Sequence, residues 1–115
     1  METQNTVSFD TLNFTRSDLE NCAEIELFDR NQDVDLDLFC YTKCSNTSSS
    51  LVQNCRGVVF NKDKLVMRAF CYTPEFNHEE SLQSLFGNNF SNIRFYDSYE
   101  GSLVRIFYFE NRWFI

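Results

Sequence analysis

The chain has 115 residues, enough for one domain with a real core and too few for two. Apolar residues make up 43% of it and aromatics 17%, including 13 Phe, which excludes a disordered chain. The formal charge of −7 sets it against general nucleic-acid binding, because such binding draws on cations that neutralise phosphates.

The N-terminus has neither a basic start nor an apolar stretch, and no apolar run is long enough to span a bilayer. An intracellular, cytoplasmic protein without a membrane partner is expected. Five cysteines, an odd number, then point to free thiols that are mostly buried. Cys40, Cys44, Cys55 and His78 can be drawn as a zinc set. Their spacing fits no strong zinc pattern, so core thiols are expected and no metal.

In chain order, Ser17 followed by Glu20 has capping-box spacing, and a first helix is expected from Thr15 or Ser17. Leu19, Cys22 and Ala23 carry its apolar spacing toward Glu26 or Leu27. Residues 33–38 alternate acid and apolar, the pattern of a half-buried strand with Asp33, Asp35 and Asp37 on its wet face. These carboxylates lie too far apart along a strand to share one ion. The serine-rich stretch 45–50 reads as a flexible surface loop. Two β-rich runs, 56–60 and 65–70, flank the polar residues 61–64 and predict a hairpin. The only proline, Pro74, lies in the loop that follows.

Asn77 can cap a second helix, with Glu80 at its third position, Leu82, Leu85 and Phe86 on its apolar face and Gly87 as its stop. His78, at its start, reads as a surface residue. Residues 93–96 and 103–109 are expected as strands. Glu110-Asn111 is a tight turn into a last strand, 112–115. Phe107, Tyr108, Phe109, Trp113 and Phe114 are expected to alternate between core and edge packing, with no basic groove to make them a base-stacking platform.

Three segments carry a resemblance. They are Asn54-Cys55-Arg56-Gly57-Val58-Val59-Phe60, then Arg68-Ala69-Phe70 with Pro74-Glu75-Phe76-Asn77, then Tyr99-Glu100-Gly101-Ser102-Leu103-Val104. In order and spacing they resemble the N-terminal half of the ATP-dependent RNA ligases of the T4 RNA ligase 1 type. The likeness covers roughly residues 25 to 115. In that family a lysine in a K-x-D-G-S-L element attacks the α-phosphorus of ATP and becomes a phosphoramidate. Here Ser98 stands at the lysine's position and Glu100 at the aspartate's. The three lysines are Lys43, Lys62 and Lys64, so none follows residue 64. Pro74 and Glu75 stand where the family has a loop lysine. A serine gives at most a phosphate ester, which is not an activated adenylate of the same kind.

The resemblance therefore implies a degenerate adenylyltransferase domain over residues 1–115 with no catalytic residue and no working ligase activity. It leaves Arg56, Glu100 and Gly101 as the nucleotide contacts, with ATP and magnesium as the ligands the family would imply. Arg56 can equally be a strand-end arginine paired with a carboxylate, and Gly101 simply a tight turn. The expected fold is α+β, a mostly antiparallel sheet of about five or six strands with two short helices. The expected role is that of a catalytically inactive module acting by protein–protein interaction or as a homodimer, since exposed sheet edges seek partners. Two alternatives stand beside it: non-covalent nucleotide or RNA-end binding through Arg56, and a ligase fragment completed by a further segment. The family's occurrence in reduced form points to a viral source and the host cytoplasm.

Overall fold

The computed structural model of the protein describes residues 13–76, 79–87 and 91–115. They fall into two compact units. One is the chain up to Thr73 together with Arg105–Ile115, and the other is Pro74–Val104.

In the first unit, helix α1 spans Arg16–Glu20. Its capping box is Thr15 with Asp18, two residues earlier than the Ser17–Glu20 pair expected. The Thr15 hydroxyl accepts from the Asp18 N–H at 3.2 Å, and the Asp18 carboxylate accepts from the Thr15 N–H at 2.9 Å. This register buries Leu19. The helix stops at Glu20 instead of running on to Glu26, because Ile25 already pairs with Tyr41 in the sheet.

Strands β1 (Ile25–Asn31), β2 (Leu36–Tyr41), β3 (Val58–Asn61) and β4 (Lys64–Arg68) form one antiparallel sheet in chain order. Leu27 pairs with Phe39 and Asp29 with Leu38, so Phe28 is an extra residue, a bulge on the β1 edge. Met67 pairs with Val59 and Leu65 with Phe60, which leaves Val66 as a second bulge on the β4 edge. The hairpin expected at residues 56–70 is present, with Lys62 at φ 54° in its turn.

The acidic stretch departs from the expected strand. Asp33 and Asp35 lie in the β1–β2 turn, where Asn31 Oδ1 accepts the Asp33 N–H at 3.0 Å and Asp35 takes φ 57°. Only Asp37 is in the strand, and it is 3% exposed rather than on a wet face. Its opposite neighbour on β1 is Arg30. Arg30 Nε donates to Asp37 Oδ1 at 2.6 Å and Arg30 Nη2 to Oδ2 at 3.2 Å. Arg16 of α1 adds an ion pair from Nη2 to the same Oδ2. Arg16 also donates from Nη1 to the Lys62 carbonyl at 2.9 Å and lies 5.3 Å from the centre of the Phe39 ring. One carboxylate thus joins α1, β1 and β2, and its Arg16 partner reaches on to the β3–β4 turn. Alternation alone could not place Asp37 inside, because its two partners are 7 and 21 residues away.

The serine stretch is folded rather than loose. Ser48 Oγ accepts the Ser45 N–H at 2.9 Å, and Gln53 Nε2 donates to the Ser45 and Asn46 carbonyls. Ser49 then caps helix α2, Ser50–Asn54, by accepting the Val52 N–H.

Two apolar clusters lie on the two faces of the sheet. On one, Leu19 of α1 and Val52 of α2 pack with Ile25, Phe39, Cys55, Val58 and Phe60. On the other, Leu36, Val59 and Met67 meet Phe107, Phe109 and Phe114. These three Phe come from a two-stranded antiparallel hairpin, β5 (Phe107–Phe109) and β6 (Arg112–Phe114). Its turn residues Glu110 and Asn111 have φ 45° and 65°, the left-handed pair that matches the twist of a tight hairpin.

In the second unit, helix α3 spans Glu79–Phe86 and ends at Gly87, whose φ is 67° and whose N–H donates to the Gln83 carbonyl at 2.7 Å. The expected cap Asn77 and His78 lie outside the described residues. Residues 93–96 form no strand, and the strand expected over 103–109 is confined to 107–109. The α+β class holds. The strands are divided between a four-stranded sheet and a two-stranded hairpin, and among the described residues there are three short helices where two were expected.

Hydrogen bonds from Arg30, then from Arg16, hold the Asp37 carboxyl below the usual carboxylate range against the opposing effect of burial. A depressed folded-state pKa gives stability that is complete above the unfolded pKa of about 3.9 and is lost as pH falls through the folded one. Asp37→Asn should lower stability by about 2–3 kcal/mol at neutral pH, at the lower end for a buried pair because Arg30 still meets water. Chemical denaturation at several pH values checks this. The gap between native chain and variant should close as the solution is acidified below pH ~4.

Candidate functional site

The residues singled out for nucleotide contact fall in both units, and each is described within its own. Arg56 follows α2, and its side chain is exposed. The backbone around it is well held. Cys40 Sγ donates to the Arg56 carbonyl at 3.1 Å, Tyr41 N–H donates to the Cys55 carbonyl at 2.8 Å, and Ala69 N–H to the Gly57 carbonyl at 2.7 Å. A Cβ on Gly57 would stand 3.4 Å from the Ala69 Cβ, so the glycine allows the close approach of this corner to β4. The guanidinium itself donates to Thr73 Oγ1 at 3.4 Å. Among the described residues it forms no salt bridge, which leaves its charge open to solvent. Tyr41 and Tyr72 meet edge to face with their ring centres 6.5 Å apart.

Ser98, Glu100 and Gly101 lie in a stretch of the second unit without regular secondary structure. Gly101 has φ 158°, close to fully extended, and a Cβ there would meet nothing within 4 Å. Gly101 thus makes a bend with a positive φ.

The thiols follow burial. Cys55 is in the core, and Cys22, Cys40, Cys44 and Cys71 are half-buried. Cys40 lies within β2. Among the described residues no group of three His, Cys, Asp or Glu side chains could hold a metal ion. Cys71 Sγ donates to Asn54 Oδ1 at 3.0 Å, with Arg68 Nη2 3.4 Å from each of the two. This triangle ties α2 to β4 and the segment after it.

The most exposed apolar surface of the first unit is on the C-terminal hairpin. Its inner face is Phe107, Phe109 and Phe114, with Phe107 and Phe114 stacked at 5.3 Å. Its outer face is Ile106, Tyr108 and Trp113, exposed by 60%, 55% and 69%. Tyr108 and Trp113 are cross-strand partners, edge to face at 5.1 Å. An open cleft of about 170 Å³ separates the inner face from the sheet, with Leu36, Leu38 and Val59 as its floor and Asp29, Arg30 and Ile115 at its rim. The expected alternation of core and edge aromatics is present. The outer set went unnoticed as a surface, although its signal is in the sequence: an antiparallel strand with one wet face alternates with polar residues, and these strands do not.

The sheet edges are less inviting than expected. Phe28 bulges one and Val66 the other, and both edge strands carry charge in Glu26, Asp29, Arg30 and Lys64. Bulged and charged edges pair poorly with a further strand.

Among the described residues no helix is long and apolar enough to cross a membrane. No protein-family model, no curated protein and no solved structure matches this chain.

Burial pushes the Cys55 thiol up to about 12. Thiolate is the reactive form. In a timed alkylation read by mass spectrometry, Cys55 should stay unmodified in the native chain while half-buried thiols react, and should be labelled once denaturant unfolds it.

Proposed function

We propose that this chain is a catalytically inactive, RNA-ligase-like module that acts by binding protein, through the outer face of its C-terminal hairpin. The observation that carries the reading is the three-residue face Ile106, Tyr108 and Trp113. These side chains do little for the fold while being large, apolar and adjacent. Contiguous apolar patches of several hundred Å² on a folded chain mark interaction sites, and Tyr and Trp are the residues that anchor them. Ser98 in place of the nucleophilic lysine supports the loss of covalent chemistry, because no amine is present to form a phosphoramidate.

If the face serves binding and not folding, its two sides should respond differently. Trp113→Ser with Ile106→Ser should change stability by under about 0.5 kcal/mol, as exposed positions do. Phe114→Ala, on the inner face, should cost about 1.5–3 kcal/mol, less than a fully buried Phe because it is half-covered. Equilibrium urea unfolding compares them. A large loss from the outer pair would make the face a part of the fold and remove the ground for this reading.

A second reading, a non-covalent nucleotide or RNA-end binder, is favoured by Arg56, whose exposed guanidinium has a hydroxyl and no carboxylate as its partner among the described residues. Thermal unfolding with magnesium-ATP separates the two. A protein-binding module should show no shift. Saturating nucleotide at ~100 times its dissociation constant would add about 2.7 kcal/mol, lost in Arg56→Ala, if the second reading is correct. In both readings incubation with ATP labelled at the α-phosphate should leave no covalent label on the chain, and a stable adenylate would overturn both.

A further inference from the structure

We propose that the outer face of the hairpin binds a second copy of this chain, face to face about a two-fold axis that sets the two hairpins antiparallel. The proposal rests on the binding role given above to this face and names its occupant.

The first ground is the strand pattern. Residues 105–109 and 112–115 read Arg-Ile-Phe-Tyr-Phe and Arg-Trp-Phe-Ile, apolar on both sides of each strand. Continuous apolar runs belong to strands covered on both faces. The inner face has its cover, the sheet residues Leu36, Val59 and Met67. A second hairpin laid on the outer face would supply the other cover, giving a stack of sheet, hairpin, hairpin and sheet.

The second ground is charge. The face carries no charge of its own, so laying it on its own copy opposes no like charges. The unit that presents it has twelve acidic and nine basic residues over 1–73 and 105–115, so it carries −3 of the −7 of the whole chain. Charge also chooses between the two ways of pairing. With the hairpins parallel, Glu110 at one turn would face Glu110 at the other. With them antiparallel, each Glu110 comes to the open end of its partner, where Arg105 stands on the Phe70 ring at 4.6 Å. Glu110 holds φ 45°, a conformation that Asn or Gly adopts with less strain, so the turn keeps an acid there at some expense to its backbone.

The third ground is area. At the exposures given, the three side chains present on the order of 350–450 Å². A stable pair of proteins buries ~800 Å² on each side, with an apolar core and a polar rim. The face is therefore the right size for the core of such a contact, and the resulting dimer should form in the micromolar range and not at nanomolar concentration.

Trp113 is the one tryptophan of the chain and sits in this face, so it reports on its own burial. Sedimentation and tryptophan emission should be followed together from low to high micromolar concentration. The mass should rise from 13.6 kDa toward twice that value. Over the same range the emission should move to shorter wavelength and acrylamide quenching should fall. Tyr108→Ser should keep the native circular dichroism and remain monomeric. Glu110→Arg should weaken the dimer at least tenfold, and combining it with Arg105→Glu should restore most of the loss. A chain that stays at 13.6 kDa with a solvent-exposed tryptophan up to about 500 µM overturns the proposal, since standard contacts form well below that level. So does a dimer that Tyr108→Ser leaves intact. A photo-crosslinking residue placed at position 113, in the cells that make the protein, tells the two claims apart. A crosslinked homodimer supports the second copy. Crosslinks only to a different protein overturn the second copy and leave the binding role standing. No crosslink at all overturns both.

Discussion

A single buried carboxylate organises the first unit. Asp37 lies inside β2 with two guanidinium partners, one across the sheet and one from α1. Without them it would be an uncompensated charge in a nearly dry place, so the helix and the first strand must be where they are for the second strand to be buried at all. Arg16 carries the constraint further, since the same side chain lies on Phe39 and reaches the carbonyl of Lys62. Apolar burial gives this small unit most of its driving force, but it is indifferent to register. The ion pairs supply the register, because a slip of one residue in β2 would turn Asp37 to the other face.

That register also decides what the opposite face offers. With Asp37 and Phe39 turned toward the helices, Leu36 and Leu38 turn away from them, onto the side where the C-terminal hairpin lies. The hairpin brings three Phe to the sheet and leaves Ile106, Tyr108 and Trp113 outside. Its two aromatic pairs sit back to back on the same two strands, one stacked and inward, one edge to face and outward. The inward pair explains why the hairpin is held. The outward pair has no such explanation within the unit, and the functional reading grows from that asymmetry.

Much of the fold was legible from local chemistry. The β3–β4 hairpin, the stop at Gly87 and the turn at Glu110-Asn111 all follow from turn residues between apolar runs. The α+β class follows from the same runs. What failed depended on distant partners. Asp37 read as exposed because its alternation with Asp33 and Asp35 was genuine, while Arg16 and Arg30 are placed beside it only by the tertiary fold. The stretch at 45–50 read as loose because serines favour loops, yet the serine at 49 is an N-cap and opens a helix too short to show a period. The strand expected over 93–96 had suitable residues but pairs with none of the described strands, and a lone strand has nothing to bond its backbone to. For the candidate site, Arg56 was singled out by its motif, and its exposed position with a hydroxyl partner was not foreseeable. The outer face of the hairpin was written in the sequence as a missing polar alternation, which is easily read as mere core.

The two bulges, at Phe28 and Val66, have a bearing beyond the sheet itself. An unbroken border strand offers its amides to any similar strand, and the newcomer offers the same again, so addition by borders has no natural end and leads toward fibres. Each bulge breaks the regular spacing of those amides on one flank of the sheet. A flat face behaves otherwise, because once two such faces have met about a two-fold axis, none is left over. A chain so rich in phenylalanine is thereby steered away from open-ended polymerisation through the borders of its sheet.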